Sequence, residues 1–194
     1  MTLPTKLTVL RVLLAFLVMG LLFVPGWPAK TAALAGFLAA GATDWLDGYL
    51  ARRLKQATPL GALLDPIADK VLVLGTFLAF VQLRLIPAWM VLIIVLRESL
   101  ITGVRLVAAG RNIVLPAARE GKQKTVSQML TITVILIVLL LRELPVSQSL
   151  PTPAQDAIRL GVLGCLWVTM VLTVVSGTLF FWRHRTILRD VVSP

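Results

Sequence analysis

Six stretches of mostly apolar residues run along the chain, at 7–24, 30–52, 62–83, 88–109, 123–141 and 157–182, separated by short segments rich in proline, glycine and charge. Each approaches the ~20 residues that a helix needs to cross the hydrocarbon core of a bilayer. The separators carry helix-ending chemistry: Pro25-Gly26-Trp27-Pro28, the run Arg52 to Pro59, Ile86-Pro87, Gly110 to Lys122 and Pro145 to Pro153. Proline lacks the amide hydrogen and glycine lacks the backbone stiffness that a continuing helix needs. The pattern predicts an all-α integral membrane protein of six transmembrane helices, forming a single domain over 1–194. The first stretch begins with Lys6 and Arg11 and then turns apolar, as a signal peptide does. No small-x-small cleavage site follows it and the run is of membrane length, so it reads as a retained helix.

Composition agrees: 58% of the 194 residues are hydrophobic, 14% are charged and the mean hydropathy is +0.91, against about 25% charged residues in an ordinary soluble domain. A net charge of +10 would suggest nucleic acid in a soluble protein, but here the position of each charge matters more than the sum. Thirteen Lys and Arg lie at the N-terminus, in the 52–58 loop, in the 105–124 region and in the C-terminal tail, against four (Lys30, Arg84, Arg142, Arg159) around the other loops. Cytoplasmic loops are enriched in Lys and Arg. Both termini and the second and fourth loops are therefore expected in the cytoplasm, and no nucleic-acid partner is implied. Trp27, Trp89 and Trp182 sit near helix ends, as interfacial anchors do. Cys165 has no second cysteine to pair with, and His184, between Arg183 and Arg185, is expected to be solvated or at a lipid headgroup.

Against this apolar background, four of the nine acidic residues, Asp44, Asp47, Asp65 and Asp69, fall within 26 residues. An ionised carboxylate at mid-bilayer costs roughly 2.5–3.5 kcal/mol on insertion scales, so such a cluster needs positive charge among its members. On helix two, Asp44, Asp47, Gly48, Ala51 and Arg52 share one face. On helix three, Asp65 and Asp69 are stacked at i and i+4, with Gly61 one turn earlier and Pro66 acceptable if it lies in the first turn. A short basic loop folds the two helices antiparallel and brings the pairs together. Carboxylates without His or Cys select hard cations such as Mg²⁺, Mn²⁺ or Ca²⁺ rather than zinc. Four of them suffice for two ions that bind phosphoryl oxygens on both sides of a displacement. Gly48, Ala51 and Gly61 leave room for a ligand against the helices, and Arg52 offers a planar fork to phosphate. Ion pairing with neighbouring Arg and Lys alone accounts for neither the glycines nor the shared face.

The series Asp44-x-x-Asp47-Gly48-x-x-Ala51-Arg52, eight residues, then Gly61-x-x-x-Asp65-x-x-x-Asp69 resembles the signature of the CDP-alcohol phosphatidyltransferases at every defined position. That resemblance implies the CDP-alcohol phosphotransferase fold of six transmembrane helices, a homodimer, and transfer of a phosphatidyl group from CDP-diacylglycerol to an alcohol with release of CMP. It further implies Asp44, Asp47, Asp65 and Asp69 as ligands of two Mg²⁺ or Mn²⁺ ions, with Asp69 also the general base. Gly48, Arg52 and Thr58 match positions that hold the nucleotide and its diphosphate, and Thr8 and Arg11 on helix one border the same site. For those two the plainer alternatives are a back-bonded hydroxyl and a snorkelling anchor.

The signature leaves the acceptor open. Arg97-Glu98-Ser99 with Arg105, and Gly121-Lys122-Gln123-Lys124-Thr125, are similar to stretches of the bacterial phosphatidylglycerophosphate synthases, a branch of that family. The acceptor this implies is glycerol 3-phosphate, with Arg105 and Lys122 on its phosphate and Lys124 assisting, in the cytoplasmic (inner) membrane of a bacterium. The plainer alternative for this basic loop is contact with anionic lipid. Arg97 and Glu98, adjacent on a helix, point apart, and each is expected to need its own partner. Two other functions fit parts of the pattern. One is the same transfer to inositol phosphate or phosphatidylglycerol; the other is a divalent-cation transporter using the four acids, which leaves the Gly-x-x-Ala-Arg segment without a role.

Overall fold

A computed structural model describes residues 3–54, 59–110, 119–144 and 151–185; within them, the side chains at 3–7, 44–54, 59–66, 69 and 119–122 lie outside the description. Six α-helices account for almost all of the described residues, with no strand among them: α1 (Leu3–Phe23), α2 (Trp27–Leu54), α3 (Pro59–Gln82), α4 (Ala88–Gly110), α5 (Arg119–Glu143) and α6 (Thr152–Arg183). Every apolar stretch is one helix, and the punctuation works as its chemistry requires. Pro28, Pro59 and Pro153 fall in first turns, where their missing amide hydrogen has no helical partner to lose. Pro66 differs from expectation. Helix α3 begins at Pro59, so Pro66 lies in its interior. There it withholds the hydrogen bond that the Ala62 carbonyl would otherwise receive, close to Asp65 and at an intrinsic cost of about 3 kcal/mol.

Helix α3 ends in a reverse turn. Leu85 N donates to Phe80 O at 2.9 Å and Arg84 N to Val81 O at 2.9 Å, with Arg84 in the left-handed region at φ 56°. Glycine takes this conformation without the Cβ clash that arginine meets. Arg84→Gly is expected to raise stability by about 1 kcal/mol, read as a higher midpoint of thermal unfolding in detergent.

By length and composition, Gln123–Glu143 and Thr152–Arg183 are apolar enough to cross a membrane. Helix α4 carries Arg97, Glu98 and Arg105 within an otherwise apolar sequence. Large apolar side chains point outward on α1 and α6, with Leu13 61%, Phe16 62% and Leu160 68% exposed. Exposed apolar surface on this scale marks a partner or lipid.

The chain falls into two compact units, Met1–Ile86 with Ile132–Arg159, and Pro87–Thr131 with Leu160–Pro194. In the first, α1 packs against both α2 and α3, which meet each other only sparsely among the described residues. Its buried stripe is Thr8, Arg11, Ala15, Val18 and Leu22, spaced as one helix face. Lys30 is buried, and its ammonium donates to Leu22 O at 2.6 Å and Val24 O at 2.8 Å. It caps the carbonyl end of α1, a tertiary role that its charge alone did not disclose. Gly26 N donates to Glu143 Oε2 at 3.1 Å, tying the α1–α2 turn to the end of α5.

In the second unit, Ile101, Ala108 and Phe180 form a small core between α4 and α6. Trp89 and Trp167 meet edge to face at 5.8 Å. His184, expected at the surface, is buried: Nδ1 lies 3.0 Å from Phe180 O and the ring lies over Phe180 with centroids 4.7 Å apart. The helical turn connecting 180 to 184 folds the imidazole back onto the phenyl ring.

Candidate active site

The acidic signature lies on two helices of the first unit. The buried series on α2 runs Lys30, Ala33, Phe37, Ala40, and α2 continues unbroken to Leu54. Positions 44, 47 and 51 are the next in that helical series. On α3, positions 65, 69, 72, 76 and 79 follow one another at the same helical spacing, and of these Leu72, Thr76 and Ala79 are described and buried. Asp44, Asp47, Gly48, Ala51 and Arg52 thus lie in the C-terminal part of α2, and Gly61, Asp65 and Asp69 in the N-terminal part of α3. Their side chains, and Thr58 altogether, lie outside the described residues. Among the described residues no group of three or more His, Cys, Asp or Glu converges.

Thr8 and Arg11 are each 1% exposed. A snorkelling anchor reaches for water; Arg11 instead sits on the face of α1 that packs inward, and neither residue is without a partner there. Burying a guanidinium in an apolar helix bundle is costly unless negative charge or hydrogen-bond acceptors meet it.

A second constellation lies in the other unit, on α4, α5 and α6. Arg97 donates through Nη1 to Glu98 Oε1 at 2.9 Å and through Nη2 to Ser176 Oγ at 2.9 Å. The Lys124 ammonium pairs with the same Glu98 oxygen. The expectation that Arg97 and Glu98 cannot meet is therefore corrected. Their Cβ atoms diverge, but the long arginine folds around the helix and the guanidinium fork serves two partners at once. Arg97, Glu98 and Lys124 have side chains 10–11% exposed. Gly177 makes the space: a Cβ there would come within 3.1 Å of Arg97 Cγ.

Two turns along α4, the Arg105 guanidinium lies over the Phe180 ring at 5.5 Å, while its buried Nε makes no hydrogen bond. Two cations, Arg97 and Lys124, thus share one carboxylate, a surplus of positive charge in partly dehydrated surroundings that suits an anion. Lys122 lies in the first turn of α5, with its side chain outside the described residues. Of the basic residues singled out by sequence, Lys124 is tied to Glu98 and Arg105 to an aromatic face. Glu98 as the shared anion and Ser176 as the arginine's acceptor were missed. The signal for them was present in a glutamate and a Ser-Gly pair inside apolar helices.

Comparison with known proteins places these residues in a family. The model of the CDP-alcohol phosphatidyltransferase family matches residues 1–182. A CDP-diacylglycerol--glycerol-3-phosphate 3-phosphatidyltransferase of Bacillus subtilis is 38% identical over 199 residues, covering 96% of this chain and 97% of that protein. A protein of the same name from Pseudomonas fluorescens is 40% identical over 142 residues, 70% of this chain and 72% of its own length. A cardiolipin synthase (CMP-forming) of rice is 36% identical over 200 residues, where this chain spans 94% of its own length and 58% of the relative's. With a family match over nearly its whole length and a relative aligned from end to end, this chain belongs to the CDP-alcohol phosphatidyltransferase family.

Proposed function

We propose that this chain transfers the phosphatidyl group of CDP-diacylglycerol to glycerol 3-phosphate, giving phosphatidylglycerol phosphate and CMP. The observation that carries this reading is the end-to-end likeness to the Bacillus subtilis enzyme of that name. The surplus of positive charge around Glu98 supports it, because the acceptor is itself a phosphate. The chain acts as a single six-helix catalytic domain, a multi-pass protein of the bacterial cytoplasmic membrane, with both termini and the active site on the cytoplasmic face. It works as a homodimer.

Asp44, Asp47, Asp65 and Asp69 hold two Mg²⁺ or Mn²⁺ ions. The donor set fits hard cations, being all carboxylate, and the family is generally divalent-metal dependent. When bound, such ions neutralise the diphosphate and stabilise charge on the leaving CMP. Asp69 takes the proton of the acceptor's 1-hydroxyl. That oxygen attacks the lipid-side phosphorus, the bond to the CMP oxygen breaks, and CMP leaves with the electron pair. Gly48, Ala51 and Gly61 admit the CDP-diacylglycerol headgroup against the helices, Arg52 and Thr58 hold its diphosphate and nucleotide, and Thr8 and Arg11 border it from α1. Arg105, Lys122 and Lys124 bind the acceptor phosphate.

Arg105→Ala and Lys122→Ala are each expected to raise the KM for glycerol 3-phosphate by roughly ten- to a hundredfold, the loss of one charge-assisted contact, with the KM for CDP-diacylglycerol unchanged. If neither value rises, these residues do not hold the acceptor. Replacing glycerol 3-phosphate by inositol phosphate or phosphatidylglycerol in the same assay is expected to stop CMP release.

A further inference from the structure

We propose that Thr131 and Thr169 form a register lock between α5 and α6 that sets Lys124 against Glu98, making both threonines positioning residues for the acceptor site. The inference rests on the reading of Lys124 as an acceptor-phosphate residue.

On α5, Lys124, Gln128 and Thr131 follow one another at i, i+4 and i+7; on α6, Thr169, Thr173 and Ser176 do the same. Apart from Lys124, with its 11% side-chain exposure, all are buried. At one end of this seam, Thr131 Oγ1 lies 2.7 Å from Thr169 Oγ1. Thr169 Oγ1 also donates to Ser127 O at 3.1 Å, and Thr131 Oγ1 to Cys165 O at 3.3 Å. Two hydroxyl protons serve three contacts, so the chain of bonds runs in either direction, and in both it crosses between the helices. At the other end, the Lys124–Glu98–Arg97–Ser176 chain joins α5 to α6 by way of α4. Between the two ends, Gln128 Nε2 and Thr173 Oγ1 make no hydrogen bond, so those two atoms fix no register. Ser127 Oγ donates to Lys124 O at 2.8 Å, fastening the turn that carries the lysine to the turn that the lock holds.

A slip of one residue moves a side chain by about 1.5 Å along the axis and about 100° around it, which takes the ammonium away from Glu98. Apolar packing tolerates such a slip better than paired hydroxyls do, because it is not directional.

The test replaces both threonines by valine, which keeps the shape and removes both hydroxyls, a change that can be nearly neutral for stability. CMP release by the purified chain is measured against glycerol 3-phosphate and against CDP-diacylglycerol. The Thr131→Val/Thr169→Val variant is expected to raise the KM for glycerol 3-phosphate roughly three- to fifteenfold, the range of interhelical hydrogen bonds in membranes, with kcat and the KM for CDP-diacylglycerol unchanged. The corresponding serine pair is expected to keep the parent KM. On a Lys124→Met background the valine pair is expected to add nothing, because it acts through the lysine. An unmoved KM, or the same rise with and without Lys124, overturns the lock. A parent chain whose CMP release does not depend on glycerol 3-phosphate overturns the acceptor reading instead, so the two failures are distinguishable.

Discussion

Replacing Asp69 by asparagine is expected to lower kcat by about 10²–10⁴-fold, the usual contribution of a positioned general base, with the chain still folded. Asparagine has nearly the same shape and keeps one acceptor oxygen, but it cannot take a proton at neutral pH and carries no charge. Among the four aspartates, Asp69 is the one assigned both tasks, so its loss removes proton transfer and weakens metal binding together. Asp44→Asn serves as the comparison, because Asp44 is proposed as a ligand only. Its activity is expected to recover in part as the metal concentration is raised, whereas that of Asp69→Asn is not. Near-normal turnover by Asp69→Asn, with intact thermal unfolding, would remove the base assignment.

Chelation is the second large effect. Treatment with EDTA is expected to bring CMP release down to background, and Mg²⁺ or Mn²⁺ to restore it, because charge neutralisation at the diphosphate is the main catalytic contribution available to this donor set. No His or Cys occurs in the sequence from Asp44 to Asp69. The His184 ring is engaged with Phe180, and Cys165 lies in the apolar helix α6. Zinc, which favours nitrogen and sulfur, is therefore expected to restore little. Full activity after exhaustive chelation would contradict a metal-dependent reaction.

The six helices were legible because their ends are written in short-range chemistry: a proline in a first turn, a Pro-Gly turn, a run of charge. Side-chain reach is a different matter. That Lys30 caps α1, that Arg97 folds back to Glu98 and that His184 turns inward all depend on which neighbour a long or flexible side chain meets, and no periodicity records this. Pro66 was misplaced because the start of α3 was read at 62; the Pro59 start puts it in the helix interior. The acidic signature can be read from the sequence for the opposite reason, although its side chains lie outside the described residues and its role stands as proposed. Four carboxylates in an apolar chain are too costly to be incidental, and their spacing with small residues and one arginine is local in sequence. The lock at Thr131 and Thr169 was not legible, since two threonines 38 residues apart carry no pattern until the register of two helices pairs them.

The proposed reaction has two substrates, and release of CMP by the purified chain in detergent or bilayer reports on both. With Mg²⁺ or Mn²⁺ present, CMP is expected only when CDP-diacylglycerol and glycerol 3-phosphate are supplied together, in equal amount to phosphatidylglycerol phosphate. CMP formed at the same rate without glycerol 3-phosphate, or no CMP with both substrates and metal present, would contradict it.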